Sequence, residues 1–167
     1  TLDDRVVLDQ SYFYPTGGGQ PHDTGTLETV TAPVAHYRVV DVSKSDRIYH
    51  TLEPVTASTD RADDSETDTG VTLPSPGTTV IATVDSERRS IHARYHTAQH
   101  LLSAHLLNTY AAPTTGNQIS TDHAHLDAAY DRFHQADLEA IEAQLNERIA
   151  EARPVTRSIM DRKTAEA

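Results

Sequence analysis

Asp85 divides the chain into two halves with different hydrophobic periods. Before it the apolar spacing is that of strands, and after it the spacing is that of helices. A chain that switches once in this way is neither an all-β sandwich nor a helix bundle, and the predicted class is α+β. In the first half, Val6-Val7-Leu8, Tyr12-Phe13-Tyr14, Thr26 to Val30, Tyr37 to Val42, Ile48 to Leu52 and Val80 to Val84 are short and rich in β-branched or aromatic residues. Turn chemistry separates them at Gly17-Gly18-Gly19, Asp23-Thr24-Gly25, Ser45-Asp46 and Pro76-Gly77. Six such strands suggest a small barrel or sandwich. Residues 56 to 70 are acidic and nearly without apolar side chains, which predicts a mobile loop.

The second half opens with Asp85 or Ser86 as a helix cap and Glu87 in the first turn. The helix is predicted to run toward Asn108, with a break near Ala93-Arg94. Pro113 to Gly116 reads as a turn, and Gln118 to Tyr130 as a polar hairpin. A second helix is led in by Asp137. Its Leu138, Ile141, Leu145 and Ile149 recur at helical spacing and predict a core-facing stripe. Pro154 should end it, and Val155 to Met160 reads as a strand.

Charge narrows the classes of function. With 14 Lys+Arg against 25 Asp+Glu the formal net charge is -11, so the overall field does not favour nucleic acid. Yet the cations are 12 Arg and only 2 Lys, with 22 Thr, and an acidic, Lys-poor surface suits a host adapted to high salt. Salt at that level also screens repulsion from an RNA backbone. No apolar run approaches the roughly 20 residues of a membrane span, and no membrane partner is expected. Without cysteine there is no disulfide, redox pair or thiolate ligand in the chain. A start at Thr1 without Met is what a piece of a longer chain would show.

Two motifs carry chemistry. In His96-Thr97-Ala98-Gln99-His100 the imidazoles are four residues apart, which on a helix puts both on one face, as in two-His zinc sites. Ten His placed at random give roughly 0.5 such pairs by matching count, and His92 and His96 share the spacing, so solvated surface His is the plain alternative. A HExxH metalloprotease is excluded, because position 97 is Thr and the general base is absent. The second motif is Tyr14-Pro15-Thr16-Gly17-Gly18-Gly19-Gln20-Pro21. Three glycines free the backbone and let a ligand or another backbone approach, and the Gln20 carboxamide both donates and accepts hydrogen bonds. The loop matches neither standard phosphate-binding pattern. Its plain alternative is a flexible hairpin tip.

In this order the two motifs resemble the editing region of alanyl-tRNA synthetase and its free-standing relatives, the AlaX-type trans-editing deacylases. The matching pieces are Phe13 to Pro21 with Asp23-Thr24-Gly25, then Asp85 with Arg88-Arg89, then His96 to Ser103. Gly116-Asn117-Gln118-Ile119 and Leu126-Asp127 resemble the family's substrate-side hairpin, and the likeness covers nearly the whole chain. It implies an N-terminal small β-barrel domain over residues 1–85, bearing the Gly-Gly-Gly-Gln loop. An α+β editing domain, helices on an antiparallel sheet, would follow over residues 86–167 and be incomplete at its C-terminal end.

The same resemblance implies a cytoplasmic hydrolase that binds alanine-accepting tRNA and removes a mischarged Ser or Gly. It places zinc on His96 and His100, with catalytic roles for Gln20, His96 and His100. Gly17, Gly18, Gly19, Gln20, Thr97 and Thr115 would bind substrate, with Thr114 as a further candidate for the serine hydroxyl. The family completes its zinc site with a CxxxH pair beyond the matching region, so the remaining ligands are expected beyond Ala167; His123, His125 and His134 occupy no ligand position of the family. The chain alone is therefore expected to hold zinc loosely and to act weakly, if at all. Three readings stay open: a free-standing deacylase, the editing domain of a full synthetase, and a non-catalytic tRNA-binding module that has lost the metal.

Overall fold

A computed structural model describes residues 5–55, 72–156 and 158–165. The acidic stretch 56 to 70 lies outside the described residues. The chain is α+β. In order it forms β1 (Arg5–Val6), β2 (Gly25–Thr29), β3 (His36–Lys44), β4 (Ile48–Pro54) and β5 (Val80–Val84), then α1 (Ser86–Tyr110), β6 (Thr114–Ile119), β7 (Ala124–Ala128), α2 (Gln135–Ala150) and α3 (Arg162–Ala165).

The first five strands make one antiparallel sheet in the order β1-β4-β3-β2-β5. Among the described residues it is not closed into the barrel that the resemblance implies. The edge strand β1 is two residues long and pairs only with β4, while β5 pairs only with β2, so no ladder joins the two edges among the described residues. In β3, Tyr37 and Val39 face inward, and so does Val42 in place of Asp41. A bulge at Val40 adds one residue between the Val39–Leu52 and Asp41–Thr51 pairs and shifts the alternation by one. Phe13, Leu27, Tyr37, Val39, Val42 and Leu52 form the core of this half, flanked by Val6, Ile48, Leu73 and Val84.

The stretch Tyr12-Phe13-Tyr14, read as a strand, is irregular. Side chains take its ladder groups: the Tyr14 N–H donates to Asp23 Oδ2 (2.7 Å), and the Tyr12 carbonyl accepts from Arg89 (2.6 Å).

Helix α1 is unbroken from Ser86 to Tyr110, with Asp85 as its cap accepting from the Arg88 N–H at 3.0 Å, so the expected break near Ala93-Arg94 is absent. Leu106, Ala112 and Ile141 make a second core with Leu102, Tyr110, Leu126, Phe133 and Leu145. In α2 the cap is His134, and Asp137 reaches back to the His134 N–H at 2.8 Å. Its apolar stripe is only half used. Ile141 is buried and Leu145 partly so, but Leu138 and Ile149 are 48% and 57% exposed. Val155 to Met160 forms no strand in its described residues; Val155, Ile159 and Met160 are exposed. No described helix is long and apolar enough to cross a membrane.

Candidate functional site

The glycine loop is a tight hairpin built on its own backbone. Gly17 and Gln20 exchange both N–H···O bonds at 3.0 Å, and the central pair Gly18 and Gly19 have φ of 60° and 78°. Two consecutive positive φ values mark the two-residue turns that glycine fills without strain. Gly19 has a second reason to be glycine. A Cβ there would sit 1.5 Å from Asn117 Oδ1, and its carbonyl accepts from the Ile119 N–H at 2.8 Å. At Gly17 a Cβ would meet only the Pro15 carbonyl, at 3.9 Å, and steric room does not demand glycine. The tip is thus docked on β6.

The base of the loop is clamped by the first turn of α1. Asp23 is fully buried, and Arg89 reaches both of its carboxylate oxygens through Nε, with its terminal nitrogen paired to Oδ2 as well. The pairing with Asp23 holds the Arg89 guanidinium even more firmly protonated than usual. Arg88 Nε donates to the His22 carbonyl at 3.2 Å, and the Asp85 N–H donates to the Thr24 carbonyl at 2.8 Å. Three consecutive residues after the loop's turn, His22, Asp23 and Thr24, are therefore set by two arginines and a cap.

This framework places Gln20, itself buried, against the third turn of α1. Its Oε1 lies 2.7 Å from His96 Nδ1, across 76 residues of sequence. The His96 and His100 rings are stacked, 5.0 Å between centroids and 14° between planes. Burial first, and then the neighbouring His100, push the His96 pKa down, so the ring is neutral at neutral pH. Two imidazoles side by side fit a divalent metal as nitrogen donors. Among the described residues no group of three or more His, Cys, Asp or Glu is placed to hold an ion. His123 pairs with Asp122, His125 lies opposite Gln118 on the hairpin, and His134 caps α2.

The threonines separate. On the stripe that carries His96 and His100, Ser103 Oγ meets Thr114 Oγ1 at 2.5 Å, which brings β6 beside the pair. Thr115 is the extra residue of a bulge between Thr114 and Gly116, a device that re-aims a side chain. Thr97 lies on the adjacent stripe. It donates to the Ala93 carbonyl at 2.9 Å and lines a cavity of about 870 Å³ with Leu101 and Ile149.

The sequence reading assigned no role to His92. It is fully buried one turn before His96, and neither ring nitrogen has a hydrogen-bond partner. Burial, followed by the nearby Arg88 charge, lowers its pKa, and burial also lowers that of His50, which contacts Ser11 Oγ at 2.7 Å. A single chain offers no signal for this, since His92 stands at the same spacing from His96 as His100 does. With the folded pKa below the unfolded value of about 6.5, the unfolded state binds more protons, so stability present above that pH is lost as the pH falls through it. Replacing His92 with Leu should remove part of that slope. It should also raise stability by about 1–2 kcal/mol, because an unpaired buried polar group is exchanged for an apolar one. Urea midpoints at pH 7.5 and 5.5 measure both effects, and an unchanged slope would contradict the assignment.

No family model matches the chain. Among curated proteins it is 36% identical over 166 residues to the alanine–tRNA ligase of Thermococcus kodakarensis, covering 98% of this chain and 16% of the ligase. It is 34% identical over 167 residues to the alanyl-tRNA editing protein AlaX-M of Methanosarcina acetivorans, covering 99% of this chain and 63% of that protein. With the AlaX-M of Methanosarcina mazei the identity is 33% over 162 residues, covering 96% of this chain and 60% of the relative. The chain thus spans about three-fifths of the editing proteins and a sixth of the ligase. It is a homologue, over nearly its whole length, of the AlaX-M alanyl-tRNA editing proteins and of a segment of alanine–tRNA ligases.

Proposed function

We propose that this chain carries the site of an aminoacyl-tRNA deacylase that clears Ser or Gly from tRNA of alanine identity, whether free-standing or within a synthetase. The observation that carries this reading is the meeting of Gln20 with His96, and of His96 with His100, at one point between the glycine loop and α1. The homologues named for alanyl-tRNA editing support it. In the reaction water adds to the aminoacyl carbonyl carbon, the bond to the ribose oxygen breaks, and that oxygen takes a proton. The protein's share is to hold the ester still and to keep the His96 ring neutral by burial. His96 and His100 would hold zinc, completed by further ligands. When bound, zinc supplies a Lewis acid and lowers the pKa of a coordinated water. The docked loop gives a rigid wall for the tRNA terminus, and Thr114 or Thr115 on the adjoining bulge offers a partner for a serine hydroxyl. The Lys-poor, acidic composition fits work in concentrated salt, where repulsion from the RNA is short-ranged.

The test is release of labelled serine by the intact, zinc-supplied protein in molar salt. Ser-tRNA of alanine identity should be hydrolysed more than about 10²-fold faster than Ala-tRNA, because a pocket that pairs a hydroxyl rejects the analogue lacking it. A zinc-replete protein that binds this tRNA and leaves the ester intact would make the chain a binding module.

A further inference from the structure

We propose that Gln20 is a positioning residue that acts through His96, fixing which of its ring nitrogens carries the proton. An amide oxygen only accepts hydrogen bonds. With Gln20 Oε1 at 2.7 Å, His96 Nδ1 must be the N–H, and in a neutral ring the lone pair then stands on Nε2. The relevance to catalysis rests on the hydrolase reading above; the tautomer itself does not.

Three features make this a built arrangement. Gln20 is only 5% exposed, and its carboxamide oxygen is committed to His96, which leaves it little surface to offer a substrate directly. Its backbone is held on one side by the reciprocal bonds to Gly17 and on the other by the clamp on His22 and Asp23, so the acceptor stays in place. The His96 ring is also stacked on His100 at 14° between planes, which holds the plane in which its nitrogens lie. Histidines that serve as metal or electrophile donors commonly give their second N–H to such an acceptor, which fixes tautomer and ring orientation together. Here the acceptor comes from a loop whose glycines allow the approach.

The experiment is two-bond ¹H–¹⁵N correlation on intact, metal-free, ¹⁵N-histidine-labelled protein at pH 7.5, with His96 assigned by its loss in His96→Gln. The wild type should show the Nδ1–H form. Gln20→Met, which removes the acceptor at similar length, should move His96 toward the Nε2–H form, and Gln20→Glu, which keeps an acceptor oxygen, should retain a protonated Nδ1. Thermal melts confirm that the variants are folded. In the Ser-tRNA assay Gln20→Met should lower kcat by about 10–100-fold with KM nearly unchanged. A wild-type Nε2–H form, or a Gln20→Met spectrum like the wild type, overturns the proposal whatever the activity. The expected tautomers in a protein that leaves Ser-tRNA intact would uphold the proposal and discard the hydrolase reading instead.

Discussion

Replacing Arg89 with Met should destabilise the protein by about 3 kcal/mol, the low end of the range for a buried pair that loses one partner. The low end applies because the Arg89 side chain is 38% exposed, whereas Asp23 has no exposure at all. The cost comes from what is left behind. Without the guanidinium, the Asp23 carboxylate keeps one bond from the Tyr14 N–H and must otherwise be desolvated alone or protonated. Arg89→Lys should recover part of the loss, since an ammonium restores the charge but not the fork that reaches both oxygens. The double variant Asp23→Asn, Arg89→Met should be milder than Arg89→Met, because no buried charge remains, and with the single Asp23→Asn variant it completes the cycle that measures the coupling. Urea denaturation followed by circular dichroism gives these values. A loss below about 1 kcal/mol would place the pair with ordinary surface ion pairs and deprive the loop of its clamp.

His100→Ala should leave the fold intact and abolish function. The side chain is exposed, so the change in stability should stay within about 0.5 kcal/mol. On the proposed zinc role, losing this donor should forfeit several kcal/mol of transition-state stabilisation, a loss on the order of 10²-fold or more in kcat/KM. Zinc content measured on the same sample should fall with it. His125→Ala is the matched control: that residue is also exposed but sits on β7, and neither zinc nor turnover should change. Full zinc and normal hydrolysis in His100→Ala would remove the metal role of the pair.

What the amino-acid order determined was local. The change of period at Asp85, the cap at that residue and the i,i+4 imidazoles follow from 3.6-residue periodicity and short-range hydrogen bonds, and they could be read directly. The strands β2 to β5 followed likewise from alternation and turn residues. The resemblance gives Gln20, His96 and His100 catalytic roles together, but nothing local connects residues 76 positions apart.

Tertiary structure decided everything that depends on a partner. Alternation cannot show that Val40 is a bulge, nor which strands stand at the edges of the sheet among the described residues, because register and closure belong to pairs of strands. Among the described residues the Val155 to Met160 stretch has strand propensity but no pairing strand, and Leu138 and Ile149 have helical spacing but stay about half exposed. Propensity supplies only a weak preference until burial against a neighbour stabilises it. Among ten histidines of one chemistry, only the packed fold buries His92 without a partner, leaves His100 in solvent, and binds His96 to a carboxamide from the other half of the chain. The lowered pKa values of His92 and His96 come from desolvation and neighbours, which exist only once the chain has closed on itself.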